Sequence, residues 1–153
     1  MSDLLLGPVV RYVDDRQATV WIEADRPSTV EILGQRERTF CVEGHHYAIV
    51  PLQGLEPGGI YPYEVLVDGE RRWPLDADPF PAPVIRALDP SGTLRIAFGS
   101  CRVAVPHVEP YTLAKDDDPR GREVDALYAL ALRMLERPRD EWPDLLLAIG
   151  DQI

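Results

Sequence analysis

A proline-rich segment divides the chain into two stretches with different hydrophobic periods. Five prolines fall close together in it: Pro74, Pro79, Pro81, Pro83 and Pro90. Proline cannot donate a hydrogen bond to a sheet ladder, and it pushes the preceding residue toward an extended conformation. Residues 74–92 are therefore predicted to form a semi-rigid connector with a short edge strand around Val84–Leu88. The sequence thus predicts two domains, at residues 1–90 and 91–153.

Before the connector, short runs rich in Val, Ile and aromatic residues alternate with turn residues. The predicted strands are Val9–Val13, Ala18–Ala24, Thr29–Leu33, Thr39–Val42, Tyr47–Leu52 and Tyr63–Val67. Short strands at this regular spacing, without a helical period, predict a mainly β domain with the architecture of a sandwich. The Asp68-Gly69 pair predicts a hairpin, because Asp-Gly favours the turns whose twist matches paired strands.

Two aromatic residues refine this prediction. Trp21 lies on the second predicted strand and is expected to fill the centre of the sandwich. Tyr61 follows the turn sequence Leu-Glu-Pro-Gly-Gly-Ile at residues 55–60. This order resembles the turn into the tyrosine corner of fibronectin type III and immunoglobulin-like domains, in which the hydroxyl returns to the backbone. Pro62 departs from that pattern, because it removes a ladder donor where the strand should begin.

After the connector the hydrophobic period changes. Leu94–Phe98 is predicted to be a short strand, and Leu145–Ile149 a continuous apolar strand of the kind buried on both faces of a parallel sheet. Between them, apolar residues recur with the spacing of one helix face. They predict a helix from about residue 120 to 136, with Asp118 as N-cap and Pro119 at the first position. The order strand–helix–strand predicts a βαβ unit with parallel strands.

Reactive residues follow both strands of this unit. Cys101 comes after the first strand in a Gly-Ser-Cys sequence, and Asp151 comes after the second in a Gly-Asp sequence. Ligands of open parallel sheets bind beyond the carboxyl ends of the strands, and parallel pairing would bring both residues to one edge. A thiolate binds iron or zinc, and a carboxylate can bridge two cations. Cys101 and Asp151 are therefore candidate metal ligands.

The segments RIAFGSCR, at residues 95–102, and WPDLLLAIGDQI, at residues 142–153, resemble the opening of a known catalytic domain. The family is that of the PhoD-like alkaline phosphatases, a branch of the calcineurin-like metallophosphoesterases, in which an immunoglobulin-like domain precedes the catalytic domain. The resemblance implies that Cys101 is the first metal ligand and Asp151 a bridging ligand. It also implies a dinuclear site of iron with calcium, or a similar pair, that hydrolyses phosphate mono- or diesters with a metal-activated water.

The resemblance also implies ligands that the printed sequence does not include. A family member would continue after Ile153 with a tyrosine ligand, then an asparagine and several histidine and aspartate ligands. With two of roughly seven ligands, the chain is expected to be the N-terminal portion of a longer enzyme, inactive by itself and without bound metal. The alternatives are a free-standing immunoglobulin-like binding module and a subunit whose missing part another chain supplies.

Composition limits the possible partners. The formal net charge is −10 and Lys115 is the only lysine, so no basic surface for nucleic acid or anionic lipid is expected. No apolar run approaches the ~18 residues of a membrane helix, and the N-terminus lacks the pattern of a signal peptide. We expect a cytoplasmic protein whose partner, in the parent enzyme, is a phosphoester substrate. Apolar surface within residues 93–153 is expected to cause either self-association or disorder of that region.

The remaining candidate residues have simpler explanations. Cys41 lies between apolar residues of a strand and is predicted to be part of the core. His45 and His46 are adjacent and therefore point to opposite faces of a strand, which favours surface residues over a metal pair. The acidic run at residues 116–118 lacks the glycine and distal glutamate of an EF-hand. His107 follows a Val-Pro sequence in a loop and is considered only as a contact to substrate.

Overall fold

The computed structural model describes residues 2–76, 80–100 and 102–150. The chain divides into two compact units, Met1–Thr93 and Leu94–Ile153, called unit 1 and unit 2 below. The strands of unit 1 are β1 (Leu4–Val13), β2 (Gln17–Ala24), β3 (Thr29–Ile32), β4 (Gln35–Arg38), β5 (Phe40–Val42), β6 (His45–Gln53), β7 (Ile60–Pro62), β8 (Val65–Val67), β9 (Glu70–Trp73) and β10 (Val84–Arg86).

Unit 1 consists of antiparallel sheets around one hydrophobic core. One four-stranded sheet has the order β1-β2-β6-β5, a second has the order β4-β3-β8-β9, and β10 pairs with β7. The core draws Val20 and Val50 from the first sheet, Val30 and Val67 from the second, and Ile85 from β10. Unit 1 is thus mainly β, and two sheets that share one core are consistent with a β-sandwich.

Alternation along β2 decides which side chains enter that core. Val20 and Ile22 are fully buried in it, whereas Trp21 between them is only partly buried. Successive side chains of a strand point to opposite faces, so Trp21 lies on the outer face of its sheet. Its ring stacks there on Tyr47, with the ring centroids 5.6 Å apart. The prediction that Trp21 fills the centre is therefore wrong, and aliphatic side chains fill it instead.

Two predicted turn features of unit 1 are present in the structure. The hairpin at Asp68-Gly69 is confirmed, since β8 and β9 pair antiparallel on either side of it. Asp68 and Gly69 have φ of 53° and 84°, the positive values that a type I′ turn requires at both central positions. The return of the Tyr61 hydroxyl to the backbone is also confirmed, because the Glu56 N–H donates a 2.6 Å hydrogen bond to Tyr61 Oη.

Three edge features of unit 1 differ from the prediction. β4 has no apolar residue and is fully exposed, so no hydrophobic pattern marks it as a strand. β7 contains Pro62 and pairs only with β10, which is where a strand can accept a proline. Cys41 is exposed rather than part of the core, because it lies in β5, a three-residue strand at the edge of its sheet.

Unit 2 contains β11 (Ile96–Gly99), the helix α1 (Ala126–Leu135), a 3₁₀ turn at Arg139–Glu141 and β12 (Leu145–Ala148). The predicted parallel pairing of the two strands is confirmed, with Ile96 opposite Leu145 and Gly99 opposite Ala148. Within the part of the chain that the structure describes, no helix has the length and apolar character needed to cross a membrane.

The helix of unit 2 begins later than predicted. Its N-cap is Asp125, whose Oδ1 accepts hydrogen bonds from the N–H groups of Leu127 and Tyr128 at 2.9 and 3.1 Å. Asp118 instead accepts hydrogen bonds from Arg120 in a turn. Glu123, with φ of 65°, has a left-handed backbone conformation that a helix cannot contain. The helix therefore cannot extend back to Asp118.

Candidate functional site

The candidate site lies at the carboxyl ends of β11 and β12. These ends are adjacent: Gly99 is opposite Ala148, and the Ile149 N–H donates a 3.0 Å hydrogen bond to the Gly99 carbonyl. The predicted metal ligands, Cys101 and Asp151, follow these ends within a few residues in sequence and lie outside the described residues. The structure therefore describes the strands that lead to both residues but not the residues themselves.

The loop after β11 is held by an ion pair. Arg102 Nε donates a 2.9 Å hydrogen bond to Oδ2 of Asp125, whose side chain is 1% exposed. Burial of Asp125 raises the pKa of its carboxyl. The hydrogen bond from Arg102 and those from the N–H groups at the start of α1 outweigh this and lower the pKa overall. The residue next to Cys101 is thus fixed to the start of the helix by a charged group that stays ionised at neutral pH.

Sequence reasoning missed Asp125 although a signal was present. It is an acidic residue directly before the apolar run of α1, which is the usual place of an N-cap. Asp118, followed by a proline, matched the start signal better and obscured it. The pairing with Arg102 had no local signal, because the two residues are 23 positions apart.

His107 contacts the same helix. Its imidazole stacks on the ring of Tyr128 with centroids 3.9 Å apart and planes 10° apart, while the residue itself is exposed. The stacking fixes an exposed imidazole on the first turn of α1. Its role as a contact to substrate stays a prediction.

A cavity of about 380 Å³ in unit 2 has lining residues from β11, β12 and α1. Phe98, Leu130 and Leu147 give it apolar walls, and Ser100 and Arg102 contribute polar groups from the carboxyl end of β11. The Arg102 guanidinium of this lining is already paired with Asp125.

The described residues do not assemble a metal site by themselves. Across residues 2–76, 80–100 and 102–150, no group of three or more His, Cys, Asp or Glu side chains is placed to hold an ion. In unit 1, His45 Nδ1 lies 2.6 Å from Glu23 Oε1, forming a side-chain pair. The role of Cys101 and Asp151 as metal ligands stays a prediction.

Comparison with known proteins identifies the first part of the chain. The family model described as Domain of unknown function (DUF7800) matches residues 1–85. The chain belongs to this family. No curated protein and no solved structure matches the chain. The matched residues include β1 to β9 and end within β10, so membership in DUF7800 describes unit 1 and assigns it no activity.

Proposed function

We propose that this DUF7800 protein combines an accessory immunoglobulin-like β-sandwich, unit 1, with the opening strand–helix–strand unit of a metal-dependent phosphoesterase domain, unit 2. The observation that carries the proposal is the in-register parallel pairing of β11 and β12. Strands that end side by side direct the following residues to one edge, which is where parallel sheets bind ligands. This supports a shared site for Cys101 and Asp151.

The ligand chemistry supports metal-dependent hydrolysis of a phosphoester, but only in a protein that supplies further metal ligands. Cys101 would supply a thiolate and Asp151 a bridging carboxylate to a dinuclear site of iron with calcium or a similar pair. Two ligands do not hold such a site, and the described residues add no further ligand cluster. The residues of this chain therefore do not fit the complete metal centre, and hydrolysis of a phosphoester is proposed for the parent protein alone.

Exposed apolar surface in unit 2 gives independent support. Phe98 is 74% exposed, Leu146 52% and Ile149 64%. Two strands with a single helix leave much of a sheet uncovered, and large exposed apolar patches usually mark a contact surface. Additional strands and helices of a catalytic domain would cover these side chains.

A cross-linking experiment tests the shared edge. In a Cys41→Ser background, Asp151→Cys is introduced beside the natural Cys101, and a short bis-maleimide reagent is added. We expect an intramolecular cross-link, detected by mass spectrometry of a peptide digest. The matched control is Asp144→Cys, because Asp144 lies at the opposite end of β12, where its N–H donates to the Arg95 carbonyl. Equal cross-linking of both variants, or none with Asp151→Cys, would contradict the proposed site.

An activity measurement tests the second part of the proposal. The purified chain is expected to release no product from a generic phosphomonoester or phosphodiester when iron, calcium, zinc or manganese is supplied. Metal-dependent turnover that Asp151→Asn abolishes would show that this chain holds a working site, and the claim that it is incomplete would be wrong.

The second candidate function is that of a binding module located in unit 1. It is favoured by the apolar outer face of the β1-β2-β6-β5 sheet, on which Val9, Phe40 and Ile49 are exposed. A sandwich that only supported a catalytic domain would not need aromatic side chains on a free face.

A further inference from the structure

The outer face of the β1-β2-β6-β5 sheet carries a concavity of about 470 Å³. Its lining residues are Val9, Arg11, Thr19, Trp21 and Ile49. Trp21 is central, because the strand register places Val9 and Ile49 directly opposite it on the two neighbouring strands. A partly exposed indole between two aliphatic side chains is thus held on a rigid three-stranded support, and the volume falls in the range of ligand sites, about 300–1,000 Å³.

Aromatic rings continue beyond the concavity. Tyr47 stacks on Trp21 with the planes 30° apart, and Phe40 lies on the far side of Tyr47 with the centroids 6.0 Å apart. These rings come from three adjacent strands of one sheet. They give the face a surface on which a flat, partly apolar ring can stack.

The charged group of the concavity is unpaired. Within the described residues, the exposed guanidinium of Arg11 makes no ion pair or hydrogen bond, whereas Arg26 and Arg36 each pair with a carboxylate. The acidic residue on the same face, Glu23, has a side chain only 7% exposed that is paired with His45. Arg11 therefore presents a positive charge that no described side chain of unit 1 pairs with.

We propose that this concavity binds a pyranose sugar that carries one carboxylate. The apolar C–H face of the sugar stacks on Trp21, and its carboxylate pairs with Arg11, whose planar guanidinium suits a carboxylate. The Thr19 hydroxyl, which has no partner among the described residues, exchanges hydrogen bonds with the sugar hydroxyls. A long polyanion such as a nucleic acid is disfavoured by the net charge of −10. The site is independent of the proposed phosphoesterase function.

The test uses sugars that differ only in the charged group. The full chain is titrated, with two-dimensional NMR detection, with methyl glucuronide and methyl galacturonide and with the corresponding neutral methyl glycosides. We expect a uronide to bind, with the largest shifts at the Trp21 indole N–H and at β1 and β2. The neutral sugar should bind about tenfold more weakly, as expected for loss of one charged hydrogen-bonding group. No binding of either uronide, or equal affinity for charged and neutral sugars, would overturn the proposal.

Substitutions at Arg11 and Trp21 test the proposed carboxylate contact and the proposed stacking separately. Arg11→Gln should remove the preference for the uronide, while Arg16→Gln, an equal change of charge at another exposed arginine, should retain it. Trp21→Phe should weaken charged and neutral sugars alike. Arg11 is exposed, so its replacement should leave the fold intact and tests the proposal even if a change at Trp21 unfolds the domain. Thermal unfolding shows whether each variant is folded. A preference that survives Arg11→Gln, or tighter binding of adenosine monophosphate than of any uronide, would contradict the assignment.

Discussion

The two units have similarly apolar strands but bury them very differently. In unit 1, Val20, Ile22 and Val50 are fully excluded from solvent between two sheets. In unit 2, β12 is a run of three leucines and an alanine, yet three of its four residues are exposed. The difference lies in the number of layers, because a sheet buries an apolar face only when another layer covers it. Apolar sequence alone therefore does not tell whether a strand is covered.

This contrast bears on function. A closed core lets unit 1 present a rigid outer face, the kind of support that a binding site needs. The open sheet of unit 2 fits a piece of a larger domain, as the proposed phosphoesterase function requires. The two units should therefore differ in stability, in association and in hydrogen exchange.

The largest effect is expected from truncation of a core residue. Ile22→Ala should lower the free energy of unfolding of unit 1 by about 2–5 kcal/mol, because it leaves a cavity in a closed core. Leu146→Ala in unit 2 removes a half-exposed side chain and should cost less than about 1 kcal/mol. Urea unfolding followed by NMR signals of each unit measures both values. Equal losses would mean that unit 2 is as well packed as unit 1.

The second effect concerns association. The full chain is expected to self-associate as its concentration rises, because apolar side chains and unpaired strand edges of unit 2 are exposed. A shortened chain of residues 1–93 should remain monomeric and unfold cooperatively. Light scattering over a concentration series compares the two, and Phe98→Ser should reduce association of the full chain. A full chain that stays monomeric at every concentration would show that the exposed apolar side chains of unit 2 do not drive association.

The smallest effect comes from a turn of unit 1 and depends on pH. The N–H of Arg16, the side-chain amide of Gln17 and the Tyr12 hydroxyl donate to the Asp14 carboxylate and lower its pKa to about 2. A carboxyl with a lowered folded-state pKa stabilises the fold above its unfolded pKa of about 4, and this contribution disappears as the pH falls toward 2.

Asp14→Asn should therefore lower the melting temperature slightly at pH 7 and have progressively less effect between about pH 4 and pH 2. Asp15→Asn serves as the control, because Asp15 makes only a 3.8 Å contact with the exposed Arg16 side chain. A deficit of the Asp14→Asn variant that is equally large at pH 2 and pH 7 would exclude the charged carboxylate as its cause.

Alternation and turn residues predicted much of unit 1, whereas the large size of one side chain and the apolar neighbours of another were misleading. In β2, small and aliphatic residues alternate with Gln17, Thr19 and Glu23, so the polar residues on the face of Trp21 already indicated that it lies outside the core. Cys41 is flanked by apolar residues and still lies at an exposed edge, since edge position depends on the order of strands that are distant in sequence. Strand alternation thus indicates which face a side chain takes, whereas edge position is a property of the assembled sheets.

The candidate site was predictable to a smaller extent. Parallel pairing of β11 and β12 followed from the strand–helix–strand order. The assignment of Cys101 and Asp151 as metal ligands comes from the motifs alone and stays a prediction. The choice between Asp118 and Asp125 as N-cap did not follow from the sequence, because Asp118 is followed by a proline at the favoured first position and Asp125 lies directly before the apolar run. The left-handed backbone at Glu123 and the hydrogen bond from Arg102 to Asp125 select Asp125 as the N-cap. Both depend on the path of the long loop between β11 and α1.

Hydrogen exchange of the full chain tests the contrast between the units most directly. The Ile149 N–H, which donates to Gly99, is compared with hydrogen-bonded amides of β2 and β6 at a concentration where the chain is monomeric. Amides within a closed core exchange only by global unfolding, whereas those of an uncovered sheet exchange by local opening. We predict that the Ile149 amide exchanges at least ~100-fold faster than the amides of Val20 and Val50. Equal protection in the monomer would contradict the claim that the sheet of unit 2 is uncovered.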